Sequence, residues 1–442
     1  MAETKATGQT DWTTRNGLSR EDELLIHCAR LDLSQAKCDA IRELISGGLD
    51  WDLLWERAAW QRLSCLVSYH LRTPDLSAFV PQPMLKKLQQ TYYFSLARNI
   101  LLQDELSRFL SILDREGISA IVLKGAALLG IIYQDIALRP MGDLDILVKP
   151  EHLERAEAIA LGQGYKYTVN PDHSESAMAN THQLPFLVHQ EKRIVLEIHQ
   201  YIVDANSPYH FELGGFWDRA RPVSPGGTNY MTLAPEDQLL HLSIHFLYDR
   251  RFSSRSALGQ LCDISELISY KGNSLNWDLV EKTIDKHHLG PGIHCVLYIC
   301  KQLLGAQVPA SVLAYLQPSE FNQSLVTLFI RRRVLDTKPW VTLDVMAKKT
   351  RYSYFRAFLG IIYKFFHLPR GMLQEYGSKG STISFYFRLI KDLFPKLGRR
   401  LLRPTELKQD IVLDRWLHDI HRSSDGKTTD ESDSRFDEAR VP

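Results

Sequence analysis

An α+β fold, with a small mixed β-sheet core embedded in a mainly helical chain, is the architecture that these 442 residues predict. Three observations carry that expectation. Apolar residues recur at helical spacing through 19–117 and again after about 205. Between 118 and 205, short β-branched runs alternate with helical stretches, as in a sheet with packed helices. The composition, 44% hydrophobic and 24% charged, is that of a soluble globular chain long enough for more than one core.

Residues 1–18 are polar and aperiodic and are expected to be disordered. "SREDELLIHCARL" opens the first helix. Ser19 is placed to cap it, and Glu21, Asp22 and Glu23 put negative charge in the first turn, where the helix dipole favours it. Helical spacing continues through "WDLLWERAAWQRLSCLVSYHL" and the long 83–117 segment, so that 19–117 forms an N-terminal helical region. "ISAIVLKG" reads as a buried strand ended by Gly125, "AALLGIIYQ" as a helix, and "DLDILVK" as a second strand. "PEHLERAEAIALGQG" is a helix started by Pro150, "YKYTV" a third strand, and "PFLVHQEKRIVLEIHQYI" two strands about the polar turn 190–192. This completes an α/β core over 118–205. Helices return over 206–330, beginning with "APEDQLLHLSIHFLYDRRF". "LDWDLLWERA" and "LNWDLVEKTI" echo one another, as two amphipathic helices can by chance.

The net charge of +1 gives no general argument for a polyanionic partner. None of the six cysteines forms a Cys-x-x-Cys pair, which argues against a disulfide framework or a zinc site and for a reducing compartment. The polar start lacks the apolar core of a signal peptide, and no apolar run reaches the ~18–20 residues of a membrane span. A cytoplasmic location is expected. Residues 331–410 form a basic, aromatic helical region, and the rest, 411–442, is expected to be mostly disordered. The basic stretch 331–403 fits three readings: solvated helices with an ordinary core, a contact with nucleic acid, or a peripheral contact with an anionic membrane.

The chemistry concentrates in "LRPMGDLDILVKP". Residues two apart on a strand face the same way, so Asp143 and Asp145 project together while Leu144 and Ile146 face the core. Paired carboxylates repel unless a cation lies between them, and Mg²⁺ or Mn²⁺, held by one or two carboxylates plus substrate phosphates, answers that need. Glu197 in "RIVLEIHQ" can supply a third carboxylate from a neighbouring strand, and such a cluster suits two-metal phosphoryl or nucleotidyl transfer. "LKGAALLG" supplies a strand, a glycine turn and a helix start, where free N–H groups can meet phosphate. The fragment is not a P-loop, because it lacks the Gly-x-x-x-x-Gly-Lys-Ser/Thr pattern. The candidate nucleotide-binding residues are Lys124, Gly125, Ala126, Arg139 and Gly142.

"VLKGAALLGIIYQDIALRPMGDLDILV" with "VLEIH", within about 119–199, resembles the nucleotidyltransferase superfamily with the DNA polymerase β-like fold. The likeness is to the branch described only as "nucleotidyltransferase family protein", and "APEDQLLHLSIHF" with "LCDISEL" looks like the helical region after its core. The resemblance implies Gly125 in the phosphate turn, Asp143 and Asp145 as metal ligands, Glu197 as the third carboxylate, and 206–330 as an acceptor-side region. It departs from the usual Gly-Ser or Gly-Gly turn, having Gly125-Ala126, so backbone N–H groups must hold phosphate without a hydroxyl. The implied reaction moves a nucleoside monophosphate from an NTP, with ATP the expected donor, to a small molecule, peptide, protein or RNA. A phosphotransferase using the same carboxylates and a catalytically silent nucleotide- or partner-binding module are the alternatives.

Other candidates have plainer readings. His199 shares the face of Glu197 and can touch substrate or metal. His241 and His245 have the i, i+4 spacing of zinc ligands, but their apolar surroundings favour packed core histidines. Asp263 is expected to pair with Arg250 or Arg251.

Overall fold

The computed structural model describes residues 17–168, 182–203, 214–250 and 255–336, together with 409, 412, 413 and 416. Expectations for 1–16, for 337 onward in the basic aromatic stretch and for most of the tail fall outside the described residues. No helix among the described residues is long and apolar enough to cross a membrane.

The fold is α+β, as expected. The first helix, Arg20–Cys28, starts at Ser19, whose hydroxyl accepts a hydrogen bond from the Asp22 amide at 3.2 Å. Trp51–Trp60 and Trp277–Lys286, the two echoing segments, are both helices capped by an Asx side chain, Asp50 and Asn276 respectively. The 34-residue helix Gln82–Arg115 buries Leu88, Leu102, Leu106, Phe109 and Leu113 along one stripe. Its polar buried residues steer the chain into the Asp-x-Asp strand. Ser95 donates to the Ala137 carbonyl at 2.8 Å, and the Asn99 amide donates to those of Ile136 and Arg139 at 2.6 and 2.9 Å.

The mixed sheet contains β1 (Ala120–Val122), β2 (Asp143–Val148), β3 (Tyr165–Tyr167), β4 (Leu187–His189), β5 (Val195–His199), β6 (Arg221–Val223) and β7 (Tyr230–Thr232). Their spatial order is β3-β4-β5-β2-β1-β7-β6. β2 runs antiparallel to β1 and parallel to β5, and β4 and β5 form the expected hairpin.

Two expectations need correction. Helices do not simply return after 205, because β6 and β7 intervene and β7 pairs parallel to β1. These strands are three residues each, with Pro222 inside one, too short to show a two-residue period. "AALLGIIYQ" is not one helix: Lys124–Leu128 is helical, and a left-handed Gly130 then turns the chain back so that Gly130 donates to the Tyr133 carbonyl at 2.9 Å.

One face of the sheet, through Leu144, Ile146, Leu196 and Ile198, joins a continuous core that runs from Leu24 to Leu413. The opposite face carries a smaller cluster that includes Ile121, Leu123, Leu147 and Phe216. The acids lie on this second face, on β2 and β5.

Candidate active site

Parallel pairing of β2 with β5 sets Asp143 opposite Val195 and Asp145 opposite Glu197. The alternation of the strand sends Leu144 into the core, fully buried, and turns Asp145 to the other face. Asp145 is 3% exposed and Glu197 8%, whereas Asp143 is only partly buried. All three line a cavity of about 470 Å³, a size suited to a small-molecule site.

Two side chains hold the buried acids. Lys124 Nζ donates to Asp145 Oδ1 at 2.5 Å and to Glu197 Oε2 at 3.2 Å. His199 Nε2 lies 3.0 Å from Asp145 Oδ1 and 3.6 Å from Glu197 Oε2. Burial opposes the charge on Asp145, but the Lys124 ammonium and His199 overcome it and hold its carboxyl well below the usual range. Burial likewise opposes the charge on Lys124, and Asp145 and Glu197 keep its ammonium above the ordinary lysine range. Asp143 is shifted upward, first by burial and then by repulsion from Asp145 and Glu197, with Arg62 and Lys124 pulling the other way.

The nucleotide-side candidates are not equivalent. Gly125 is packed under the Arg139 guanidinium, and a Cβ there would lie 2.7 Å from its Cζ. Arg139 is clamped by Asp263, with Nε and Nη2 donating to Oδ2 at 3.1 and 2.8 Å. Tyr133 also donates to Asp263, at 2.7 Å, so Asp263 pairs with Arg139 and, among the described residues, not with Arg250; Arg251 lies outside the described residues. The misassignment has a simple cause: Arg139 lies 124 residues from Asp263, beyond any helical spacing. Ala126 is buried and its carbonyl accepts from the Tyr230 hydroxyl at 3.1 Å. Gly142 offers its carbonyl to Arg98 at 3.4 Å.

His241 is buried, and His245 reaches the cavity wall and contacts Gln260 through Nδ1 at 3.0 Å. Burial lowers both histidines, His245 to about 4, so both are neutral at pH 7. The sequence reading missed Arg62, His182 and Tyr248 in the cavity wall. Arg62 sits in a segment that reads as an ordinary amphipathic helix, and only its left-handed backbone, φ 55°, sets it apart.

The donor set suits a metal. Asp145, Glu197 and His199 each offer a ligand atom within 4.8 Å of the others, and all three are buried. Three crowded carboxylates call for positive charge, and hard oxygen donors select Mg²⁺ or Mn²⁺. His199 Nδ1 is buried without a hydrogen-bond partner.

A mixed sheet that sets an Asp-x-Asp strand beside a strand glutamate, at a cavity wall, defines a protein of the nucleotidyltransferase class. Residues 47–305 match the model described as "uncharacterised nucleotidyltransferase", and the chain belongs to that family. Among solved structures it is similar to an antigenic nucleotidyltransferase-like protein from Paracoccidioides brasiliensis, at 13% identity over 48% of this chain and 96% of the other, with a TM-score of 0.29. No curated protein matches it.

Proposed function

We propose that the protein is a metal-dependent nucleotidyltransferase that moves an NMP group from an NTP, with ATP the favoured donor, to an acceptor and releases pyrophosphate. The observation that carries this reading is the lateral pairing of Asp145 with Glu197, with Asp143 on the same face of the strand and all three on one cavity. Asp143, Asp145 and Glu197 would hold Mg²⁺ or Mn²⁺. When bound, the metal supplies charge neutralisation and alignment of the phosphates.

The chain's own residues do the rest. His199 orients Asp145 through their 3.0 Å contact. Glu197 is placed to take the proton of an acceptor hydroxyl in its partly open cavity. Arg139, held rigid by Asp263, keeps one positive face against the Gly125 turn.

The test uses NTPs labelled at either the α or the γ phosphate, with Mg²⁺ and fractions of small molecules, peptides and RNA. Label from the α position, with pyrophosphate release, is expected on the acceptor. Transfer of γ label alone would make the protein a phosphotransferase, and activity retained by Asp143→Asn would remove the carboxylates from the reaction.

A further inference from the structure

The cavity wall includes three basic side chains that face the carboxylates or the turn beside them, and two are already engaged. Lys124 is held by Asp145 and Glu197, and Arg139 by Asp263. Arg62 also lines the cavity, and its guanidinium makes no hydrogen bond or ion pair with a described residue. Its charge is felt by Asp143, and its Nη2 lies 3.6 Å from where a Cβ on Gly142 would stand, so it overlooks the mouth of the Asp-x-Asp strand.

The backbone under Arg62 is more telling. The helix Trp51–Trp60 ends with Leu63 N–H donating to the Ala58 carbonyl at 2.8 Å and Arg62 N–H to that of Ala59 at 3.2 Å. This is a Schellman ending, and its left-handed position usually holds glycine. Here it holds arginine, at φ 55°. A side chain with a Cβ is strained in that conformation.

The surroundings enforce the turn. Gln61 donates to the Val334 carbonyl at 2.7 Å and accepts from the Leu258 amide at 2.8 Å. Gly259 packs so closely that a Cβ on it would come within 2.6 Å of the Gln61 carbonyl oxygen. Two other chain segments, at Val334 and at Leu258–Gly259, thus hold a strained arginine over the cavity. Of the five non-glycine residues with positive φ among the described residues, Arg62, Lys124 and Ser256 all line this cavity.

We propose that Arg62 is a phosphate-binding residue, whose guanidinium engages the triphosphate of the incoming nucleotide. The proposal rests on the nucleotidyltransferase reading and deepens it. A planar guanidinium suits bidentate contact with phosphate oxygens, and a partnerless one need break no bond to make it. The N-terminal helices would then contribute directly to the site.

The test is calorimetric titration of the full chain with a non-hydrolysable ATP analogue and with adenosine, both in Mg²⁺, for wild type, Arg62→Gly and Arg62→Met. Loss of charge-assisted hydrogen bonds should weaken the analogue by roughly tenfold to a hundredfold and leave adenosine unchanged. Arg62→Gly should also melt at the same temperature as wild type or higher, since glycine relieves the strained φ. That combination separates lost binding from lost folding. If wild type binds the analogue and both variants bind it equally well, Arg62 is not a phosphate ligand, while the functional reading stands. If wild type binds no triphosphate, both fall. If the variants alter affinity for Mn²⁺ alone and not for the analogue, Arg62 serves Asp143 instead, and the proposal is overturned.

Discussion

Asp143 and Asp145 differ in how much of the fold depends on them. Asp145 anchors both Lys124 and His199, whereas the Asp143 carboxylate makes no hydrogen bond or ion pair with a described residue. Asp143→Asn should therefore abolish transfer while moving the melting temperature little. Asp145→Asn should abolish it too, but with a loss of about 3 kcal/mol in chemical denaturation, because the largely buried Lys124 loses its closest counter-charge. Equal stability of the two variants would show that the Lys124 pair contributes nothing net. Lys124 makes a second prediction possible. Its ammonium lies between the oxygens that a metal would use, so ammonium and metal compete for them. Lys124→Met should bind Mn²⁺, in the absence of nucleotide, roughly tenfold tighter than wild type. Calorimetry or Mn²⁺ resonance would read this, and unchanged affinity would mean that the two do not share the site. At this scale the acids were readable because alternation on a strand is a local rule. The partners of the basic residues were not. Lys124 and Arg139 were both expected to face phosphate, yet each is paired with an acid distant in the chain, and no local spacing encodes such a pairing.

Among the elements, the long helix Gln82–Arg115 is tied to the β3 edge of the sheet by Glu105. Glu105 is 1% exposed and accepts from the Tyr165 hydroxyl on β3 at 2.8 Å, from Arg108, and from Lys192 in the turn before β5. Burial opposes its charge, but these donors prevail and bring its carboxyl down to about 2. A depressed carboxyl contributes stability above the unfolded value, and that contribution is lost as pH falls through the folded one. Glu105→Gln should thus be less stable than wild type by about 2 kcal/mol near pH 7. The gap should narrow from about pH 4.5 towards pH 2, as followed by urea midpoints; a constant gap would contradict the pairing. Elements were readable in proportion to their length. The β4–β5 hairpin, the Asp-x-Asp strand and the helices after Pro235 have clear periods and stops. β6 and β7 lack room for a period, and their place beside β1 depends on tertiary pairing.

At the scale of the whole molecule, the matched family region, 47–305, is smaller than the core that supports it. Leu24, Leu25 and Ile26 before it are buried, and so are Phe329, Ile330 and Val334 after it. Arg30 ties the first helix to Glu266 and to the Leu304 carbonyl, and Gln61 is bonded to Val334. A chain trimmed to 47–305 should therefore lose cooperative thermal unfolding and bind a hydrophobic dye, whereas the full chain should melt in one main transition. A trimmed chain that melts sharply would show that the flanking helices are dispensable.

The arginine at the Schellman ending has a consequence for how such sequences drift. Every arginine codon is one base change from a glycine codon, and at this position that change relieves backbone strain. Mutation and selection for stability then push in the same direction, towards losing the guanidinium. Relatives that keep the Asp-x-Asp strand and its glutamate should keep arginine there, and relatives that have lost those acids should show glycine. Position 62 would then serve as a marker for sorting active from silent members by sequence alone.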